Sequence, residues 1–101
     1  MAHAVVIVED HQLFRDGLKS MLGKRDDMII VGEAEDGITA LKLIRKLKPD
    51  LILLDLSMPK LGGISVLKDV KRELPDTRIL LLTIHESDQY VLEAFRAGAD
   101  G

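Results

Sequence analysis

The sequence has no cysteine and no tryptophan, and only three prolines, two phenylalanines and one tyrosine in 101 residues. Without Cys there can be no disulfide framework, no thiolate zinc site and no cysteine nucleophile. No apolar run approaches the roughly 18 residues of a membrane span. The opening MAHAVVIVED lacks a basic segment followed by an apolar stretch and a cleavage site, so no signal peptide is expected. Neither sign of charge dominates: 14 Lys+Arg stand against 17 Asp+Glu, a net −3, which gives no general attraction for nucleic acid. Internal repeats, linkers and biased segments are absent as well. What is present is a chain 47% apolar and 31% charged. That composition and length fit one acidic globular domain with a single core, expected to be cytoplasmic with no membrane partner.

Short, solid apolar runs alternate with longer segments of helical period. The runs are Ala4–Val8, Met28–Val31, Leu51–Leu54 and Ile79–Leu82. They lack polar/apolar alternation, which predicts strands buried on both faces of a parallel sheet. Leu13, Phe14, Leu18, Met21 and Leu22 share one helical face, and Ala40, Leu41, Ile44 and Leu47 another, with Pro49 as the stop. Ile64, Leu67, Val70 and Leu74 form a third stripe. Ser87 is a candidate N-cap for a fourth helix, with Val91, Ala94 and Phe95 facing inward and Gly98 near its end. The order β-α-β-α-β-α-β-α predicts an α/β fold with helices on both faces of a parallel sheet. Lys46, Lys48, Lys60, Lys68, Lys71 and Arg72 read as solvated helix faces and loops.

Such folds place their chemistry beyond the carboxyl ends of the strands. The first run leads into Glu9-Asp10, the third into Asp55, and the fourth into Thr83. If those strands are neighbours, three carboxylates and a hydroxyl converge on one shallow pocket. Like charges held that close need a counter-ion. Hard oxygen ligands, with neither Cys nor an obvious His ligand, favour Mg²⁺ over zinc or copper. Taken singly, each acid also reads as a solvating strand end or a helix cap, Asp10 for the first helix being an example. Four polar groups at three successive strand tips point to a site. His11 is expected in the first turn of that helix and not as a ligand. Gly62-Gly63 are expected to let the chain turn into the third helix, and Met58-Pro59 to shape the loop before it.

Glu9-Asp10-His11, Asp55-Leu56-Ser57-Met58-Pro59 and Leu82-Thr83 resemble the receiver domain of two-component response regulators. The stretches HQLFRDGL (11–18), VGEA (31–34) and AGADG (97–101) resemble its NarL/FixJ (LuxR-type) transcriptional subgroup. The resemblance implies a flavodoxin-like doubly wound sheet of order 2-1-3-4-5, here 2-1-3-4. Asp55 matches the phosphoacceptor, Asp10 the carboxylate bound directly to Mg²⁺, and Glu9 its neighbour acting through water. Ser57 lies where a backbone carbonyl reaches the metal, and Thr83 matches the hydroxyl that contacts the phosphoryl group and shifts with it. Ser57 and His85 hold positions that flank the pocket and tune the lifetime of the phosphoryl group, although His85 reads equally as an exposed loop histidine without a role.

The same resemblance expects a fifth strand carrying an aromatic switch residue and a lysine that salt-bridges the phosphoryl group, a fifth helix, and a separate helix-turn-helix DNA-binding domain. None lies within residues 1–101, so the chain is expected to be a receiver incomplete at its C-terminus, with Ile79–Leu82 on an open sheet edge. An apolar edge predicts self-association through strand four or helix four, with exchange of elements one route. The expected partner is a sensor histidine kinase, with DNA reached only through the other domain. The function implied is a signalling switch that assists its own phosphoryl transfer; it is not a dedicated enzyme. The alternative is a pseudo-receiver acting only as an interaction module. A phosphatase of another α/β family would need an acid where Ser57 stands, and no glycine-rich phosphate loop follows the first strand.

Overall fold

The computed structural model describes residues 2–56, 62–82 and 88–101. Four parallel strands, β1 (His3–Val8), β2 (Met28–Ala34), β3 (Leu51–Asp55) and β4 (Arg78–Leu82), lie in the order β2-β1-β3-β4. They alternate with helices α1 (Gln12–Leu22), α2 (Gly37–Leu47), α3 (Gly63–Glu73) and α4 (Asp88–Arg96). This is the expected α/β architecture and strand order. The central pair β1 and β3 is apolar on both faces. Val6, Val8, Ile52 and Leu54 pack with Ile79 against Ala40, Leu41 and Ile44 of α2, Leu67 and Val70 of α3 and Ala94 of α4. On the opposite face Val5, Ile7 and Leu53 meet, among the described helical residues, Leu18 and Leu22 of α1.

The outer strands differ from the expectation of burial on both faces. Exposure alternates along β2, with Ile29 and Val31 open to solvent, although both α1 and α2 touch this edge strand. Pairing also slips by one residue between Val5 and Val6, leaving Val31 as a bulge on β2. Arg78 and Leu80 of β4 are likewise exposed. Its outer edge, expected to be open, is paired in part: the Asp100 and Gly101 amides donate to the Ile79 carbonyl at 2.9 and 3.3 Å, and the Leu81 amide donates to the Gly101 carbonyl at 2.9 Å. Lys71, expected in solvent, donates from Nζ to the Thr77 carbonyl and to Asp100 Oδ2, each at 2.7 Å.

Two helical stripes fall differently from their period. On α1, Leu13 is 86% exposed and Met21 and Phe14 are also open, while the polar Arg15 is the buried residue. Amphipathic spacing identifies a face but not what covers it. On α4, Ala94 is buried and Phe95 is exposed. The stripes of α2 and α3 are buried as expected, except that Leu47 and Leu74 are only partly so. Asp36 caps α2, its Oδ1 accepting from the Thr39 amide at 2.8 Å, and Lys48 closes it in the left-handed region (φ 48°) just before Pro49. Gly98, with φ 118°, turns the chain out of α4 toward β4, a conformation that a side chain would strain. Ser87, the expected cap of α4, lies outside the described residues.

Candidate functional site at the ends of β1 and β3

Parallel pairing sets Val8 of β1 beside Leu54 of β3, so Glu9 and Asp55 come next in line as neighbours. Both are buried, at 5% and 6% exposure, which is unusual for carboxylates. Asp10 and His11 follow in the short connection to α1. One ligand atom from each of Glu9, Asp10, His11 and Asp55 lies within 4.8 Å of all the others. The three expected acids therefore do converge. Ser57, Thr83 and His85 lie outside the described residues.

His11 differs from its expected place. It is the N-cap residue of α1, in extended conformation (φ −90°, ψ 110°), one position before the helix and without a capping side-chain hydrogen bond. Its amide and Nδ1 both approach Glu9 Oε1, at 3.1 and 3.0 Å, and Nδ1 stands 3.1 Å from Asp10 Oδ1. The Glu9 hydrogen bond, followed by the Asp10 and Glu9 charges, raises the His11 pKa above its ordinary value although the ring is solvent-exposed. Neither does Asp10 cap α1. Its Oδ1 is buried, and among the described residues it accepts no well-formed hydrogen bond, since the nearby Nδ1 pairs with Glu9.

Charged side chains of α1 and β2 brace this corner from behind. Arg15 reaches back from α1, its Nη1 donating to the Glu9 carbonyl at 2.6 Å and its Nε to Glu33 Oε1 at 3.2 Å. Lys19 Nζ holds the other Glu33 oxygen at 2.8 Å. Glu33 accordingly titrates below the usual carboxylate range, first through its bond to Lys19 and also through Arg15. On the other side, α3 starts against the end of β3. A Cβ on Gly63 would lie 2.7 Å from Leu56 Cα and 2.9 Å from the Asp55 carbonyl oxygen, so glycine permits that approach. Gly62 meets no such limit among the described residues.

Two ionised carboxylates at these separations repel by roughly 3–4 kcal/mol at an effective dielectric near 20. One exposed imidazole does not offset three of them. Oxygen donors with an orphaned buried Oδ1 fit a small divalent cation, Mg²⁺ foremost. Sequence reasoning missed Arg15 and His11. The Arg15–Glu33 pair spans 18 residues and has no period to reveal it.

The sequence pattern of the response regulator receiver domain matches residues 5–101. DegU of Brevibacillus brevis, a transcriptional regulatory protein, is 40% identical over 97 residues, 96% of this chain and 41% of that protein. A LuxR-family two-component response regulator from Aurantimonas superposes with a TM-score of 0.92 at 33% identity, covering all of this chain and 72% of the other. The isolated receiver domain of RcsB from Salmonella enterica serovar Typhimurium, solved with the phosphomimetic BeF3−, superposes at 0.91 with 27% identity, covering all of this chain and 75% of that one. The chain thus spans less than half the length of the curated relative it matches. Among the described residues, no helix is long and apolar enough to cross a membrane.

Proposed function

This chain belongs to the response regulator receiver domain family, of the LuxR/NarL type found in transcriptional regulators, and from that premise we propose that it is a Mg²⁺-dependent phosphoacceptor switch whose acceptor is Asp55. One observation carries the reading: buried Glu9 and Asp55 stand with Asp10 at the ends of adjacent parallel strands, their ligand atoms within 4.8 Å. Asp10 and Asp55 would hold the cation directly and Glu9 through water, joined by the Ser57 carbonyl that the family resemblance implies. The cation supplies neutralisation of the phosphoryl oxygens.

The protein's own groups do the rest. An Asp55 carboxylate oxygen forms the new bond to phosphorus as the phosphorus–nitrogen bond of a phosphohistidine donor breaks, and the imidazole of the donor leaves with that electron pair. Burial of Asp55 beneath the sheet edge limits water around the acyl phosphate. Arg15 fixes the Glu9 backbone so that the acid pair keeps its place. Thr83, next after Leu82 in the sequence, would by the family resemblance contact the phosphoryl group, which adds about −1.5 to −2 charge. His85 and Ser57 tune its lifetime.

The donor would be a sensor histidine kinase, and DNA would be contacted by a separate domain of the full-length protein. Self-association belongs to the same reading through the α4 surface, supported by the exposed Leu92 and Phe95, while the β4 edge is partly taken by Asp100 and Gly101. The experiment is intact-mass analysis after incubation with Mg²⁺ and a small phosphodonor. One phosphoryl increment is expected, absent in Asp55→Asn and after chelation. No increment in protein still folded by circular dichroism would favour the pseudo-receiver reading.

A further inference from the structure

Helix α4 is held far more firmly beyond its last turn than along its length. Ala94 is its one fully buried side chain among the described residues, while Leu92 and Phe95 lie in solvent. Beyond the last turn, Gly98 at φ 118° folds the backbone over the stem of Lys71, where a Cβ would lie 2.9 Å from Lys71 Cγ. Lys71 Nζ donates to Asp100 Oδ2 and to the Thr77 carbonyl, each at 2.7 Å. The same Oδ2 accepts from the Ile79 amide at 2.8 Å, and the Asp100 amide donates to the Ile79 carbonyl at 2.9 Å. One ion pair thus joins the end of α3, the start of β4 and the exit of α4.

We propose that Lys71 and Asp100 form the fixed end of α4, so that this helix rearranges by turning about Gly98, its first half travelling furthest. This rests on the phosphoacceptor reading only for what drives the motion, since Thr83 stands five positions before Asp88, the first residue of α4. Turning about Gly98 disturbs the small Ala94 contact and leaves every Asp100 bond in place. Sliding the whole helix would break the Lys71 pair and the Ile79 bond together, and charge-assisted bonds resist this more than a methyl contact does.

The test is amide hydrogen exchange followed by NMR on the whole chain, before and after addition of Mg²⁺ and acetyl phosphate. Phosphoryl uptake is expected to change exchange of the Leu92–Phe95 amides about tenfold, and of the Ile79, Leu81 and Asp100 amides less than about twofold. Lys71→Met keeps the stem over Gly98, and Asp100→Asn keeps an oxygen for the Ile79 amide, yet each should extend the change to that second group. Arg45→Met, which breaks the exposed 2.8 Å pair with Glu73, should not. Equal changes in both groups of the parent protein, or Lys71→Met and Asp100→Asn behaving like Arg45→Met, would overturn the proposal. Failure of the underlying reading looks different: intact mass shows no phosphoryl increment. Exchange without the phosphodonor then still decides, because a fixed end requires Leu92–Phe95 to open faster than Ile79, Leu81 and Asp100, and the reverse order would overturn it.

Discussion

Replacing Arg15 with methionine should cost about 2–3 kcal/mol of stability. Arg15 is 4% exposed, and its 2.6 Å bond to the Glu9 carbonyl is a charge-assisted, buried contact. Such bonds contribute roughly 1.5–3 kcal/mol, and the abandoned buried carbonyl adds a penalty of similar kind. Breaking a buried ion pair would ordinarily cost 3–5 kcal/mol because the partner charge is stranded. Glu33 is not stranded here, because Lys19 holds it at 2.8 Å and its side chain is 35% exposed. The estimate therefore sits below that range, and methionine keeps most of the apolar stem. For a domain of this size the loss corresponds to a fall in Tm of roughly 10–20 °C. Urea unfolding followed by circular dichroism at neutral pH is the assay, with an unchanged denaturant slope confirming that the native state is perturbed. Lys19→Met, which removes an exposed pair, should lower the urea midpoint less than Arg15→Met does. An Arg15→Met protein as stable as Lys19→Met, or more stable than the parent, would refute the reasoning. It would mean that desolvation of the guanidinium cancels what its bonds return.

Gly63→Ala should destabilise by about 1–3 kcal/mol, since its Cβ meets backbone that cannot rotate aside; thermal melts check this, and phosphoryl uptake should fall with it as Asp55 is displaced. Acid should weaken the fold in a definite window. Glu33 and Asp100 titrate lower in the folded chain, through Lys19 and Lys71 respectively, so the unfolded chain binds more protons between the two sets of values. Their stabilisation is full above the ordinary carboxylate range and is lost as pH falls through the lowered folded values. Urea midpoints measured downward from pH 6 should decline, and less steeply in Lys19→Met. Light scattering at high concentration should give a mass above the monomer, and Phe95→Lys should reduce it.

The parts of this fold legible in the sequence are those whose signal is local or periodic. Solid apolar runs identified β1 and β3 because both of their faces are covered. The convergence of Glu9, Asp10 and Asp55 followed from acids at the ends of adjacent strands, Glu9 and Asp10 just past β1 and Asp55 closing β3. The same period misassigned Leu13 and Met21, because, among the described residues, Leu18 and Leu22 are the α1 side chains that pack on that side of the sheet. Met28–Val31 resembled a buried run, yet edge position is a property of the assembled sheet and not of the segment. Arg15 was hidden for a different reason: its partners lie 6 and 18 residues away. His11 took its role from a backbone conformation at a helix start, which composition does not encode.

The slip in pairing that leaves Val31 unmatched also governs how copies of this domain can meet. A regular outer strand presents evenly spaced donors and acceptors, a template onto which another strand adds in register. With one surplus residue in β2, that spacing is broken midway and the strand bends. Another strand approaching the β2 side could pair over only two or three residues before falling out of step. At the opposite margin the chain's own Asp100 and Gly101 already occupy Ile79 and Leu81. Neither margin is free to propagate, so sheets cannot stack end to end into a growing ribbon. Contacts between copies are left to the helical surfaces, where symmetric pairing closes on itself and stops at a finite size.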